Sequence, residues 1–307
     1  MEHVATEPSP TAPLFSAGLE ARTHAAEVVL DGTRVAYWSY EPVRVSPETR
    51  TILVIHGFRG DHHGLEPVIA YLPGVHIIAP DLPGFGLSEP LPGEHSIDGY
   101  AGWVRAFSAA LDLGADTIVL GHSFGTIVVA AALAAGLPAA SVILVNPIAA
   151  PALSGPNALG TRLANLYYRI GGALPESVGG ALLKNRLVVR GSSIVLAKTK
   201  DRSLRRWIHN QHDRYFSGYA NRRVVLEAFR ASVGHDVTEY AARLRLPVHL
   251  VAAEHDDITF VKDVEALQRM LREATLTVIP EVGHLVHYET PEAAAREIAR
   301  IAAVPVG

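Results

Sequence analysis

A five-residue segment between two apolar runs constrains this fold more than any other part of the sequence. The segment Gly121–Gly125 (GHSFG) follows the apolar run Thr117–Leu120 and directly precedes the apolar stretch Thr126–Ala135. Two glycines spaced in this way let backbones approach closely where a strand turns sharply into a helix, because Cβ atoms there would clash. The pattern alone recurs by chance. At such a junction, however, it predicts that Ser123 projects its hydroxyl above a sheet from a strained backbone conformation.

Eight short apolar runs, rich in β-branched residues and ending at turn residues, have the character of buried strands. They are Ala26–Leu30, Arg34–Ser39, Thr51–Ile55, Val75–Ala79, Thr117–Leu120, Ser141–Val145, Val248–Ala252 and Leu276–Ile279. Asp31-Gly32 predicts a hairpin between the first two. The later runs alternate with helical patterns at Ile97–Leu111, Thr126–Ala135, Val261–Arg272 and Pro291–Ala302. The sequence therefore predicts an α/β fold with a mostly parallel sheet flanked by helices.

The alternation breaks between Ala149 and about Tyr240, where arginines, aromatic residues and histidines accumulate. Helix-like stretches there cover Gly160–Ile170, Gly180–Leu187 and Asp201–Phe216. An insertion of this size between two core strands predicts a helical lid over residues 149–240. The core then comprises residues 21–148 and 241–307. Residues 1–20 are Pro-rich and are predicted to form a flexible N-terminal segment without the order of a secretory signal, which favours a cytoplasmic location.

Composition excludes several classes of function. With 27 Lys and Arg against 31 Asp and Glu, the net charge of −4 predicts no nucleic-acid partner. The absence of cysteine excludes disulfides, thiolate zinc sites and a cysteine nucleophile. No Asp, Glu, Lys or Arg lies between Asp116 and Arg162, but Gly136-Leu137-Pro138 interrupts this stretch. We therefore predict a buried helix and a buried strand there rather than a membrane span.

Two further positions supply the groups that a serine nucleophile needs. Such a serine requires an imidazole base, and the imidazole requires a carboxylate that fixes its tautomer. His284 lies just after the eighth predicted strand, and Asp256 and Asp257 lie just after the seventh. Loops at the carboxyl ends of parallel strands share one edge of the sheet, and the chain order is serine, acid, histidine. We predict Ser123 as nucleophile, His284 as base and Asp256, in preference to the adjacent Asp257, as the acid.

Two backbone N–H groups are candidates for binding the oxyanion that forms when a serine attacks a carbonyl. The strand Thr51–Ile55 runs into the segment His56-Gly57-Phe58, a turn that contains glycine. The N–H of Phe58 can supply one donor, and the N–H of Phe124 can supply the other. Each donor of this kind stabilises a transition state by about 3 kcal/mol.

Four ordered segments resemble the α/β-hydrolase superfamily, and within it a lid-bearing serine hydrolase of the esterase/lipase kind. They are residues 56–58 (HGF), 81–88 (DLPGFGLS), 121–125 (GHSFG), and Gly283-His284 followed by residues 289–292 (ETPE). The resemblance covers Val28 to Ala303. It implies an eight-stranded sheet, a helical lid after the sixth strand, and Ser123, Asp256 and His284 as a catalytic triad. It also implies that residues 81–88 are a structural loop at the site entrance and not a nucleotide cradle.

The expected function is hydrolysis of a carboxylic ester, thioester or lactone through an acyl-enzyme on Ser123, with no cofactor and no metal. A small to medium apolar acyl substrate is expected, and the oligomeric state stays open. Serine at position 123 separates the chain from epoxide hydrolases and haloalkane dehalogenases, which resemble it but carry aspartate there. Two alternatives remain: carbon–carbon bond hydrolysis, lyase chemistry or acyl transfer by the same triad, and a ligand-binding receptor on the same fold.

Packing or surface roles, rather than catalytic or metal-binding ones, are predicted for the other histidines. His122 is expected to pack beside Ser123, and Asp61-His62-His63 to form a pocket rim rather than a metal site. His209 and His212, three residues apart, are expected on the surface of a lid helix. The aromatic residues of this region either line an apolar acyl pocket or pack the lid on the core; they are Trp207, Tyr215, Phe216 and Tyr219.

Overall fold

An eight-stranded sheet forms the centre of the molecule. The computed structural model describes residues 18–151 and 158–303. The strands are β1 (Thr23–Leu30), β2 (Thr33–Tyr40), β3 (Thr51–Ile55), β4 (His76–Pro80), β5 (Ile118–His122), β6 (Ser141–Val145), β7 (Val248–Ala253) and β8 (Ala274–Ile279). Their order across the sheet is β1-β2-β4-β3-β5-β6-β7-β8. The predicted strands and their mostly parallel arrangement are confirmed; β2 runs antiparallel to both of its neighbours.

Side chains of the central strands alternate between two apolar cores, one on each face of the sheet. Leu53 and Ile55 of β3 point into one core, and Ile52 and Val54 point into the other. Because both faces are covered, the strands read as continuous apolar runs, as parallel strands do in α/β folds.

Helices cover both faces of the sheet. Between β3 and the C-terminal end of the described chain the α-helices are α1 (Glu66–Ile69), α2 (Ile97–Ala110), α3 (Phe124–Ala134), α4 (Ala158–Ala173), α5 (Glu176–Leu183), α6 (Arg186–Leu196), α7 (Arg202–Tyr215), α8 (Arg222–Gly234), α9 (Thr238–Ala241), α10 (Val261–Met270), α11 (Val286–Glu289) and α12 (Pro291–Ala302). The four predicted core helices correspond to α2, α3, α10 and α12. Helices α2 and α3 pack with one core, and α12 packs with the other.

Helices α4 to α9 lie in sequence between β6 and β7, and we call residues 158–241 the helical insertion. Its predicted helices correspond to α4, α5 and α7, whereas α6 and α8 were not predicted. Helix α6 begins after Asn185, whose side chain accepts from the N–H of Leu187, and α8 begins after Asn221, which accepts from the N–H of Val224. Both are N-cap interactions. That the insertion acts as a lid with bounds 149–240 stays a prediction.

Two predictions concern segments at the margins of this core. Most of the predicted flexible N-terminal segment, residues 1–17, lies outside the described residues. The uncharged stretch after Asp116 includes the whole of strand β5, helix α3 and strand β6. Among the described residues, no helix has the length and apolar character needed to cross a membrane.

Candidate active site

Ser123 occupies a tight turn between β5 and α3. Its φ of 52° and ψ of −119° are strained for a residue other than glycine. A Cβ atom at Gly121 would lie 2.6 Å from the carbonyl oxygen of Gly125, and one at Gly125 would lie 2.3 Å from that of Ile55. Both positions therefore require glycine, which explains the spacing of the GHSFG segment.

The loops after β7 and β8 bring Asp256 and His284 to Ser123. His284 Nε2 lies 2.8 Å from Ser123 Oγ, and His284 Nδ1 lies 2.8 Å from Asp256 Oδ2. A carboxylate accepts a hydrogen bond from Nδ1–H, so this contact leaves Nε2 as the acceptor that faces the hydroxyl. Asp256 and His284 are buried, whereas Ser123 is partly exposed. This arrangement allows His284 to take a proton from Ser123.

The adjacent carboxylates Asp256 and Asp257 have different surroundings. Asp256 also accepts from the backbone N–H groups of Ile258 and Thr259, at 2.8 and 3.2 Å. Burial opposes ionisation of Asp256, but the nearby His284 and these hydrogen bonds outweigh it and lower the pKa of the carboxyl. Asp257 is half exposed and pairs with Lys198 of the helical insertion. Of the two carboxylates, Asp256 is the one in contact with His284.

Asn146, which sequence reasoning did not identify, completes the surroundings of Asp256. Its Nδ2 donates to Asp256 Oδ2 at 2.8 Å and to the carbonyl oxygen of His284 at 3.3 Å. The residue is buried and has a φ of 47°, a conformation that asparagine tolerates better than most residues. Its position directly after β6, at the sheet edge shared with Ser123, was the available signal.

The backbone turn after β3 lies against Ser123. A Cβ atom on Gly57 would lie 3.3 Å from Ser123 Cβ and 3.3 Å from His122 Nδ1. The next residue is Phe58, and Phe124 begins α3 on the other side of Ser123. Within the described ranges, neither backbone N–H has a hydrogen-bond acceptor. Both are therefore available to a ligand at Ser123.

Residues 81–88 close around the carboxylate of Asp81. Asp81 Oδ1 accepts from the N–H of His62, and Oδ2 accepts from the N–H of Leu87, both at 2.9 Å. A Cβ atom on Gly86 would lie 1.9 Å from Asp81 Oδ2, so glycine is required there. His56 Nε2 accepts from the N–H of Leu82 at 2.8 Å, which joins this loop to the turn after β3. Gly86 thus permits the loop to close on Asp81, whereas a Cβ atom on Gly84 would lie 2.5 Å from the side chain of Val224 on α8.

The ring of Phe58 sits in an aromatic cluster that reaches into the helical insertion. Its centroid lies 6.3 Å from that of Phe124, 6.0 Å from that of Tyr168 on α4 and 6.0 Å from that of Phe229 on α8. Tyr168 and Phe229 stack on each other at 3.8 Å. The insertion thus contributes apolar side chains next to the turn at Ser123.

Arg59 ties the same turn to the helical insertion. Its buried guanidinium donates to the carbonyl oxygens of Phe216 and Leu183, at 2.9 and 3.1 Å, and to the hydroxyl of Tyr168 at 3.1 Å. A further bond reaches Ser217 Oγ at 3.3 Å. All four acceptors belong to the insertion. No carboxylate in the described chain pairs with Arg59, and its φ of 62° is unusual for a non-glycine residue.

Two buried histidines pack next to His284. The ring of His122 lies 5.7 Å from that of His284 and 4.3 Å from that of His287. Burial, assisted by the nearby His284, lowers the pKa of His122 to about 3, and burial holds the pKa of His287 well below its usual value. Both rings are therefore neutral near pH 7. His122 packs beside Ser123 as the sequence predicted.

The two histidines and four aromatic residues of the insertion that the sequence analysis named all contact neighbouring side chains. The prediction that His209 and His212 lie on an exposed helix face is wrong, because both are buried. Their Nδ1 atoms lie 2.6 and 2.7 Å from Ser193 Oγ of α6, so the hydroxyl joins α6 to α7. The four aromatic residues contact the core or its Arg59 side chain: Trp207 meets Tyr288, Tyr215 stacks on His63, and Phe216 and Tyr219 flank the Arg59 guanidinium.

Two groups of side chains have the spacing of metal ligands among the described residues. Asp61, His62 and His63 have ligand atoms within 4.8 Å of one another, as do Glu254, His255 and Glu281, which are exposed. In the first group, the Nδ1 atoms of both histidines contact carboxylates, at 2.9 Å to Asp81 and 3.1 Å to Asp61. Only their Nε2 atoms are left for a ligand.

Comparison with known proteins places these features in a family context. The family model described as "Alpha/beta hydrolase family" matches residues 52–297. "Lipase 3" of Moraxella sp. (strain TA144) is 24% identical over 264 residues, which cover 83% of this chain and 76% of the lipase. "Lipase 1" of Psychrobacter immobilis is 23% identical over 244 residues, covering 76% of this chain and 71% of that lipase.

A solved structure shares the fold. An esterase (EaEST) from Exiguobacterium antarcticum superposes with a TM-score of 0.74 at 14% identity. The match covers 91% of this chain and 100% of the esterase. At 14% identity, the similarity shows only that the two proteins share a fold. The sheet architecture predicted from the sequence agrees with that fold.

Proposed function

The chain belongs to the alpha/beta hydrolase family, and from that premise we propose that it is a serine hydrolase acting on carboxylic esters. The observation that supports this most strongly is the pair of contacts at His284, 2.8 Å to Ser123 Oγ and 2.8 Å to Asp256 Oδ2. A hydroxyl, an imidazole and a carboxylate in this order suit acyl transfer through a covalent intermediate. The lipase and esterase names of its relatives agree with this chemistry.

In the proposed mechanism, Ser123 Oγ attacks the ester carbonyl carbon while its proton passes to His284 Nε2. Asp256 stabilises the imidazolium, and Asn146 and two backbone N–H groups hold that carboxylate ionised and in place. The tetrahedral intermediate expels the alcohol, which takes the proton from His284. A water molecule, deprotonated by His284, then attacks the acyl-enzyme, and the carboxylic acid leaves as Ser123 Oγ takes that proton back from His284.

The N–H groups of Phe58 and Phe124 are the proposed donors to the oxyanion. Both flank Ser123 and lack an acceptor in the described part of the chain. The start of α3 adds the positive end of its dipole. The aromatic cluster around Phe58 favours an apolar acyl group, with the helical insertion as a lid over it. The proposed reaction uses neither a metal nor an organic cofactor.

The test is a panel of p-nitrophenyl esters of increasing acyl length, assayed beside a vinylogous diketone. We expect hydrolysis of the esters by the wild type, and none above background by Ser123→Ala. Turnover of the diketone alone would contradict ester hydrolysis and support carbon–carbon bond cleavage by the same residues. Tight binding without turnover of either substrate would support a receptor.

A further inference from the structure

Exposed apolar side chains are concentrated in one part of the helical insertion. Of the 14 large apolar side chains that are exposed among the described residues, seven lie between Leu163 and Val195. They are Leu163, Leu166 and Ile170 on α4, Val178 on α5, and Leu187, Ile194 and Val195 on α6. Single exposed apolar residues are ordinary, but three of these seven lie on the one helix α4.

Helix α4 presents its exposed apolar residues as a stripe with basic neighbours. Leu163, Leu166 and Ile170 are spaced three and four residues apart, so they share one face of the helix. Arg162 and Arg169 are exposed beside them, four residues before and three residues after Leu166. No carboxylate of the described residues pairs with either arginine. We call these five residues the α4 stripe.

The charge of the insertion differs in sign from that of the remaining chain. Residues 158–241 contain 14 Lys and Arg and 6 Asp and Glu, a net charge of +8 with histidine neutral. The other residues contain 13 and 25, a net charge of −12, and the two sums give the overall −4. An apolar face on a basic helical segment is complementary to an anionic lipid surface. The same positive face would repel a second copy of itself in a symmetric contact.

The opposite face of α4 contacts the candidate active site. Tyr168 is buried there and stacks on Phe229. Its hydroxyl accepts a hydrogen bond from the guanidinium of Arg59. Gly171 also faces inward, because a Cβ atom there would lie 2.7 Å from the Leu183 side chain. Helix α4 therefore separates the turn at Phe58 from solvent, with apolar residues exposed on the outside.

We propose that the α4 stripe docks this protein on anionic phospholipid surfaces, with the leucines and isoleucine in the acyl–headgroup boundary and the arginines at the phosphates. Docking would bring the candidate active site to the surface in which long-chain esters dissolve. This consequence rests on the proposed ester hydrolysis, whereas docking itself does not. The lipid is identified by its chemistry, a bilayer that carries net negative charge.

Docking is tested first without turnover, by sedimentation of Ser123→Ala protein with vesicles. One vesicle is phosphatidylcholine alone, and the other contains equal parts of phosphatidylcholine and phosphatidylglycerol. We expect binding to the second, weakened strongly at 1 M salt where the screening length falls to about 3 Å. Arg162→Gln with Arg169→Gln should weaken it about twenty-fivefold, since each arginine contributes about fivefold. Leu163→Ser with Leu166→Ser should weaken it by about tenfold or more.

Matched controls place the same substitutions elsewhere on the surface. Val43→Ser with Val45→Ser changes two exposed apolar residues outside the insertion, and Arg44→Gln with Arg50→Gln changes two exposed arginines. We expect both control proteins to bind as the parent does. Equal weakening by controls and stripe variants, absence of binding to anionic vesicles, or stripe-dependent self-association in gel filtration would each overturn the proposal.

Activity then separates docking from chemistry. These assays use protein that retains Ser123. In it, Leu163→Ser with Leu166→Ser should slow hydrolysis of a long-chain ester in anionic vesicles and leave hydrolysis of a short soluble ester unchanged. Loss of both activities in this folded variant would contradict a docking role. No hydrolysis of either ester by the wild type, with vesicle binding retained, would contradict the proposed function and leave docking supported.

Discussion

At the scale of single residues, the hydrogen bonds to the Asp256 carboxylate are the main feature of the candidate site. Asp256 Oδ1 accepts two backbone N–H groups, and Oδ2 accepts from His284 and from Asn146. Four hydrogen bonds fix its orientation and oppose the cost of its burial. Asp257, one residue later, faces Lys198 on the insertion. This difference in surroundings gives the neighbouring carboxylates different expected roles.

Replacement of each carboxylate by asparagine tests this assignment. We expect Asp256→Asn to lower kcat by about four orders of magnitude, because the amide favours the wrong imidazole tautomer. Asp257→Asn should retain kcat close to the wild-type value, since its partly exposed ion pair with Lys198 lies away from His284. Steady-state kinetics on a short ester measure both, and a larger loss in Asp257→Asn would contradict the assignment.

The neutral buried histidines predict acid sensitivity of the fold. The pKa of His122 is lowered from 6.5 to about 3, so unfolding takes up a proton below pH 6.5. The stability that results is fully present above pH 6.5 and is lost as the pH falls toward 3. Between pH 7 and pH 5 this single residue should reduce the free energy of unfolding by about 2 kcal/mol.

Urea unfolding at the two pH values measures this effect. His122→Gln should show a smaller drop in the free energy of unfolding than the wild type, by about the same 2 kcal/mol. An identical drop in both proteins would show that His122 does not need to shed its proton in the fold. A lower stability of the variant at both pH values is compatible with the prediction, because only the difference between them is compared.

At the scale of elements, local signals predicted the core well and the insertion less well. Strands such as β3 and β6 are apolar runs that end at turn residues, so their boundaries are visible locally. Helix α6 is rich in β-branched residues, which lower helix propensity. Packing, rather than propensity, stabilises these helices: α6 is joined to α7 through Ser193, and Val224 and Val225 of α8 belong to a core cluster.

Non-local contacts of the site escaped prediction for a related reason. Asn146 and Asp256 are 110 residues apart in sequence, and only the neighbouring positions of β6 and β7 bring them together. Arg59 meets acceptors more than a hundred residues later in the chain. The proximity of Ser123, Asp256 and His284 was predictable, because they follow the parallel strands β5, β7 and β8, whose carboxyl ends share one edge of the sheet. The fold class does not specify which side chain follows β6, where Asn146 lies, or which residues of the insertion meet Arg59.

Arg59 provides a prediction at this scale, because it bonds to the segments of α4, α5 and the end of α7. Arg59→Met keeps the apolar stem and removes the donors, which should destabilise the fold by about 3 kcal/mol. Hydrogen exchange should rise in residues 158–217, while β3 and β5 remain protected. Arg34→Gln, which removes an exposed arginine from β2, is the control and should leave exchange in the insertion unchanged. A uniform rise across the core would contradict a specific link to the insertion.

At the scale of the whole molecule, sheet order explains how a site forms from distant parts of the chain. Strands β5, β6, β7 and β8 are consecutive and parallel, so Ser123, Asn146, Asp256 and His284 follow their carboxyl ends at one edge. The insertion between β6 and β7 contributes aromatic side chains beside Phe58 and has a net positive charge, whereas the rest of the chain has a net negative charge. The acidic core and basic insertion give the protein two chemically different sides, with the candidate site where they meet.

The central claim is that Ser123 is an activated nucleophile, and labelling by a fluorophosphonate tests it most directly. The adduct is mapped by peptide mass in the wild type, with Ser123→Ala and His284→Ala as comparisons. The account predicts one adduct, on Ser123, that is absent from Ser123→Ala and forms far more slowly in His284→Ala. Folded wild-type protein that stays unlabelled, or that is labelled equally well in Ser123→Ala, would contradict it.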